Sequence, residues 1–106
     1  MEILADNFIK VYESENPLVI GCYSPGIIRL ESGRLIATIE IGGKKTHPIE
    51  GPKIESDLGQ SQGKVFTSDD KGQTWQHRAD YAIAHARPFV AGKSVYILGQ
   101  AGDLTV

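Results

Sequence analysis

Short apolar runs broken by glycine and proline recur along the chain, and no stretch keeps apolar residues at the 3.6-residue spacing of a helix. Phe8 to Glu13 (F-I-K-V-Y-E) alternates in polarity and predicts a strand, ended by Glu15-Asn16-Pro17. Leu18 to Tyr23 follows as a short extended approach. Pro25 to Leu30 (P-G-I-I-R-L) and Arg34 to Ile41 (R-L-I-A-T-I-E-I) flank the tight turn Glu31-Ser32-Gly33, the clearest hairpin in the sequence. Gly42 to Gly63 holds two prolines, five glycines and few large apolar residues, and it reads as a long loop, functional or mobile. Lys64 to Ser68 and Thr74 to Ala79 predict a hairpin around a polar turn. Ala84 to Ala91 and Ser94 to Gly99 predict another around Gly92-Lys93, and Gly102 to Val106 begins a further element. Tyr81 to Ala86 is at most one helical turn. The fold class is all-β, built from antiparallel hairpins.

A weak internal repeat supports that layout. S-P-G-I-I-R-L-E-S-G-R-L-I-A-T from Ser24 parallels A-R-P-F-V-A-G-K-S-V-Y-I-L-G from Ala86, each with a proline, a strand, a glycine turn and a second strand. Pro25 and Pro88 set the offset at 63 residues, and the Gly42–Gly63 loop accounts for its length.

The polar turn Ser68 to Trp75 (S-D-D-K-G-Q-T-W) needs its own internal bonding. Ser68 and Asp70 can turn side-chain oxygens onto nearby backbone N–H groups, and Gly72 can adopt φ > 0. Thr74 and Trp75 then resume an extended chain, with the indole pinning the hairpin.

Composition narrows the function classes. At 106 residues the chain is one small domain or a piece of a larger one. With 41% apolar and 23% charged residues it has enough material for a core and is not compositionally disordered. A formal net charge of −2 without a Lys/Arg run argues against nucleic-acid partners. The single cysteine, Cys22, excludes an intrachain disulfide and reads as a small buried apolar residue. Met1 to Asp6 lacks the basic and apolar regions of a signal peptide, and no apolar run approaches a membrane span. A soluble chain is expected; its compartment is not specified.

Several chemistries lack their residues. His47, His77 and His85 have no cysteine or carboxylate at ligand spacing, so neither a metal nor another cofactor is expected. Ser68 lies in no G-x-S-x-G elbow. Gly42-Gly43-Lys44-Lys45-Thr46 lacks P-loop spacing, since His47 stands where the second glycine would be. Asp69, Asp70 and Asp80 form no EF-hand pattern.

Read as S-x-D-x-G-x-T-W, the turn formed by Ser68, Asp70, Gly72, Thr74 and Trp75 resembles the Asp box of sialidase-like (BNR repeat) β-propellers. The resemblance covers roughly Gly21 to Val106. It implies a fold of six four-stranded antiparallel blades around a central axis, of which this chain would hold about one and a half. Residues 21–79 would be blade one, with the Asp box at 68–75, and residues 80–106 the start of blade two. Residues 1–20 would hold a ring-closing outer strand at Phe8–Glu13. A lone blade cannot bury both of its apolar faces, so the missing blades would come from the rest of a longer chain or from other copies. A compact β-sandwich of about seven strands is the structural alternative.

The resemblance also implies a site. Sialidases hold the substrate carboxylate on arginine forks and use a tyrosine nucleophile with a glutamate, and an aspartate as acid/base. The family's first arginine opens an R-I-P triplet; here the triplet is Tyr23-Ser24-Pro25, so a tyrosine replaces it. Arg29 falls mid-strand, four residues beyond that triplet's proline, and reads as an exposed strand charge. Arg87, before Pro88, opens the inner strand of blade two and is a candidate substrate contact, as are Tyr23 and His85. Asp57, in a D-x-G context eleven residues before Ser68, is the candidate acid/base. Glu40 matches an acidic position ending the second strand, and its plain reading is an alternating polar strand residue. Two functions follow as expectations. One is a piece of a sialidase-like glycoside hydrolase, inactive alone. The other is a non-catalytic Asp-box propeller module that binds carbohydrate or protein.

Overall fold

A computed structural model describes residues 8–100. Among the described residues there are seven strands, all paired antiparallel, and no helix: β1 (Ile20–Arg29), β2 (Leu35–Gly43), β3 (Ile54–Ser56), β4 (Gly59–Ser68), β5 (Gln76–Tyr81), β6 (Ala84–Ala91) and β7 (Ser94–Gln100). The fold is all-β. The element expected at Gly102–Val106 lies outside the described residues.

The first sheet runs β1-β2-β4, and β4 then pairs with β3 along its first part and with β5 along its last. The second sheet is the β6–β7 hairpin. Residues opposite one another in an antiparallel ladder share a face. Ile36, Thr38 and Glu40 therefore share a face with Thr67, Val65 and Gly63, and Ala37 and Ile41 share the other with Phe66 and Gln62. β6 packs on the first of these faces, where its buried Ala86 and Pro88 point. Tyr12 covers the second, its ring 5.8 Å from that of Phe66. β2, the central strand, is thus buried on both faces, and it supplies Ile36, Ala37 and Ile41 to the core.

Four expectations are corrected. Among the described residues Phe8–Glu13 joins no ladder; Tyr12 rests on Phe66 and Lys10 pairs with Glu13 at 3.2 Å instead. Leu18–Tyr23 and Pro25–Leu30 are not two segments, because β1 runs through Pro25 by means of a bulge between Tyr23 and Gly26. The long loop shrinks to 44–53, because β3 and the first part of β4 fold back as a hairpin with Asp57-Leu58 at its turn. Cys22 is exposed rather than buried, since β1 is an edge strand. The remaining strands sit within two residues of expectation.

Loop 44–53 is held by two glutamines that share a face of β4. The Gln60 amide donates to the carbonyls of Lys44 and His47 and accepts from Ile49 N–H at 2.8 Å. The Gln62 amide, 1% exposed, donates to the carbonyls of Glu50 and Pro52 at 2.7 and 2.8 Å. A glycine is required at 63, where a Cβ would run into the Tyr81 ring.

Candidate functional site

The Ser68–Trp75 turn closes on itself. Ser68, 2% exposed, donates its hydroxyl to Asp70 Oδ1 (2.8 Å) and accepts from Gly72 N–H (2.9 Å). Asp70 also accepts from Thr74 N–H (2.8 Å) and from the Thr74 hydroxyl. The Trp75 indole N–H donates to Gly72 O (3.0 Å), and Gly72 takes φ +87° to present that carbonyl. The Thr74 hydroxyl, then Thr74 N–H and the Ser68 hydroxyl, hold the Asp70 carboxyl down to about 2. Asp69 faces outward to a two-point ion pair with Arg34, at 2.7 and 2.9 Å, tying the turn to the β1–β2 hairpin. The side-chain polar groups of Ser68, Asp70, Thr74 and Trp75 are thus engaged in holding the turn.

The other end of β4 is different. A cavity of about 440 Å³ lies where the β3–β4 hairpin, the ends of β1 and β2 and the start of β6 converge. Tyr23, Glu40, Lys44, Ser56, Leu58 and His85 are among its walls. Two bulges shape it. β1 bulges at Ser24-Pro25 and β6 at His85-Ala86, each with two residues opposite one on the neighbouring strand. Ser24 and His85 both adopt left-handed backbones, φ +50° and +53°, a costly geometry for non-glycine residues. The equivalence of the bulges sets the repeat offset at 61 residues, Ser24 to His85, rather than the 63 given by the prolines.

The bulges bring three residues together. His85 N–H donates to Glu40 Oε2 at 2.8 Å, and His85 Nδ1 lies 3.3 Å from Ser24 Oγ and 4.0 Å from Glu40 Oε2. Serine and carboxylate therefore meet the same ring nitrogen, the wrong arrangement for a Ser–His–acid triad, which needs one on each nitrogen. Glu40 is only 8% exposed although it lies on an alternating strand, because the second sheet covers its face. Tyr23, directly across the ladder from Glu40, is 53% exposed and lines the cavity. Tyr81 lies on the same face; burial pushes its phenol up, against the Thr38 hydroxyl beside it, and the Glu40 charge adds to the upward push.

Of the residues picked out by sequence, Tyr23, His85 and Glu40 are gathered at this cavity. Asp57 sits exposed at the turn of the β3–β4 hairpin, between the wall residues Ser56 and Leu58. Arg87 is adjacent but does not line the cavity; its Nη1 donates to Ser24 O (3.3 Å) and Ala86 O (3.1 Å), bracing the two bulges against each other. Gln60 also lines the cavity and was not picked out by sequence, although the Q-S-Q-G-K-V-F alternation, read as strand, would have marked it.

A second cavity, about 730 Å³, lies on the far face between residues 12–20 and loop 44–53. Two of its charged groups are paired: Asp80 Oδ1 accepts from Lys64 (3.0 Å) and lies 2.8 Å from His77 Nε2. Burial works to raise the Asp80 carboxyl, but those two contacts hold it below the usual range. Among the described residues no group of three metal-ligating side chains comes together, and no helix is long and apolar enough to cross a membrane. No family model matches the chain, and neither a curated protein nor a solved structure does.

Proposed function

We propose that this chain supplies the first blade and the inner strands of the second in a sialidase-type Asp-box propeller that hydrolyses glycosides. The closed hydrogen-bond circuit of Ser68, Asp70, Gly72, Thr74 and Trp75 carries the architectural half of that reading. Strand order adds to it: β1, β2, β4 and β5 form a four-stranded meander, and β6 follows on its face as the next inner strand would. The second sheet leaves Phe89, Val90, Val95, Tyr96 and Leu98 39–70% exposed, which fits a surface awaiting further blades. Those blades would come from further polypeptide or from other copies.

The functional half rests on the juxtaposition of Tyr23, Glu40 and His85 in a cavity with Asp57 at its rim. Glu40 and His85 supply hydrogen-bonding groups, Tyr23 an aromatic surface, and Asp57 a carboxyl on a short hairpin able to approach a glycosidic oxygen. One face of a site is present, and this chain alone is expected to be inactive. The test is cleavage of a panel of aryl glycosides by the complete ring, with turnover abolished in Asp57→Asn. A folded ring that cleaves none of them would contradict the hydrolase.

One observation favours a second reading, a non-catalytic module that binds carbohydrate or protein. Among the described residues no arginine lines the cavity, and Arg87 is committed to backbone carbonyls. A glycan array with hits and no hydrolysis would select a carbohydrate-binding module; a tight protein partner without glycan hits would select the protein-binding version.

A further inference from the structure

The walls of the β1–β6 cavity also bear on its substrate. We infer that the face contributed by this chain takes a neutral, hydroxyl-rich sugar ring rather than a sialic acid or another carboxylate sugar. The inference rests on the glycoside reading above.

The central group is Glu40. The residue is 8% exposed, its carboxylate accepts from the His85 backbone N–H at 2.8 Å, and it lines the cavity. A carboxylate in a largely desolvated wall accepts hydrogen bonds from sugar hydroxyls and repels a second carboxylate. Asp57 adds another acid at the rim. Nothing in these walls offsets that charge in the way an anionic substrate needs. The guanidinium fork that would grip a carboxylate at two points is absent, because Arg87 donates to Ser24 O and Ala86 O. Lys44 brings one exposed ammonium, a point charge without that geometry.

The remaining walls suit a neutral ring. Tyr23 is half exposed in the cavity and offers an aromatic surface to sugar C–H groups. The His85 ring keeps Nδ1 toward Ser24 and Glu40, so Nε2 is the nitrogen left to meet a hydroxyl. Gln60 takes no part in recognition, since its amide is used on Lys44 O, His47 O and Ile49 N–H; it builds the wall. Any groups that other blades add must still hold the substrate against Glu40.

The test is saturation-transfer NMR on this chain with methyl β-galactoside and methyl β-glucoside as neutral probes and the methyl glycoside of N-acetylneuraminic acid as the anionic one. Transfer to a neutral probe, absent for the sialoside and lost in a folded Tyr23→Ala variant, is the expected result. Glu40→Gln should then raise sialoside binding by about fivefold or more, by removing the repelling charge. Sialoside binding equal to or stronger than that of the neutral probes in the wild-type chain would overturn the neutral class while leaving a sugar site standing. Binding of neither probe, by a chain whose amide spectrum shows the sheet intact, would overturn the sugar site as well.

Discussion

The two ends of β4 lie about 30 Å apart, ten residues at roughly 3.3 Å each, and they do opposite things with polar side chains. At the Ser68 end the side-chain oxygens of Ser68, Asp70 and Thr74 are turned inward, and Lys71 and Gly72 take positive φ inside a turn that closes its own hydrogen bonds. At the Gly59 end a serine and a histidine hold left-handed backbones, a glutamate is buried beside a cavity, and an exposed tyrosine faces it. A turn whose polar groups are satisfied within it serves the fold, whereas partly engaged groups beside a cavity mark a candidate site. The self-closed turn is therefore not where binding is proposed.

Substitutions can separate the two ends. The largest effect is expected from Gln60→Leu, which removes three hydrogen bonds to loop 44–53 at the cavity end. A loss of about 3 kcal/mol in denaturant unfolding, with faster amide exchange at Ile49, is predicted. Unchanged exchange at Ile49 would mean that the loop holds itself. Ser68→Ala should cost about 2 kcal/mol at the opposite end by orphaning Gly72 N–H, and it should leave sugar binding intact. If Ser68→Ala abolished sugar binding in a folded chain, the division between the ends would fail.

A paired substitution sharpens the contrast. Gly72→Ala forces a Cβ into a left-handed turn and should cost about 1–2 kcal/mol. His85→Gly relieves the same geometry at the cavity and should raise stability by up to about 1 kcal/mol while weakening sugar binding. Equal destabilisation by both would show that His85 is there for the fold. The smallest effect is an acid one. Asp70 sits at about 2 when folded, against about 3.9 for a free aspartate. A carboxyl lowered on folding contributes stability that is complete above about pH 4 and is lost as pH falls toward 2. Asp70→Asn should flatten melting temperature across that window, and an unchanged slope would assign it to other carboxylates such as Asp69 or Asp80.

Legibility followed range along the chain. The Ser68–Trp75 turn could be read because its partners lie within four residues of each other. β6 and β7 could be read because β-branched and aromatic residues flank a glycine turn. The Arg34–Asp69 pair spans 35 residues and left no local trace. β3 and the start of β4 were hidden by composition, since glutamine, serine and glycine look like loop until Gln60 and Gln62 are seen serving a neighbouring loop. The bulge at Ser24 ran against local preference, because a residue before proline favours extended backbone. Tyr23 and His85 were legible as candidates only through resemblance and repeat. Their meeting with a buried Glu40 needed the second sheet to pack on the first.

The central proposal is that the Ser68 end of β4 holds the fold and the bulge end holds the sugar. Amide chemical-shift mapping during titration with a neutral methyl glycoside tests it most directly. The account predicts shifts at Tyr23, Glu40, Ser56 to Gly59 and His85, with Ser68 to Trp75 unmoved. Shifts centred on Ser68 to Trp75, or none anywhere in the folded chain, would contradict it.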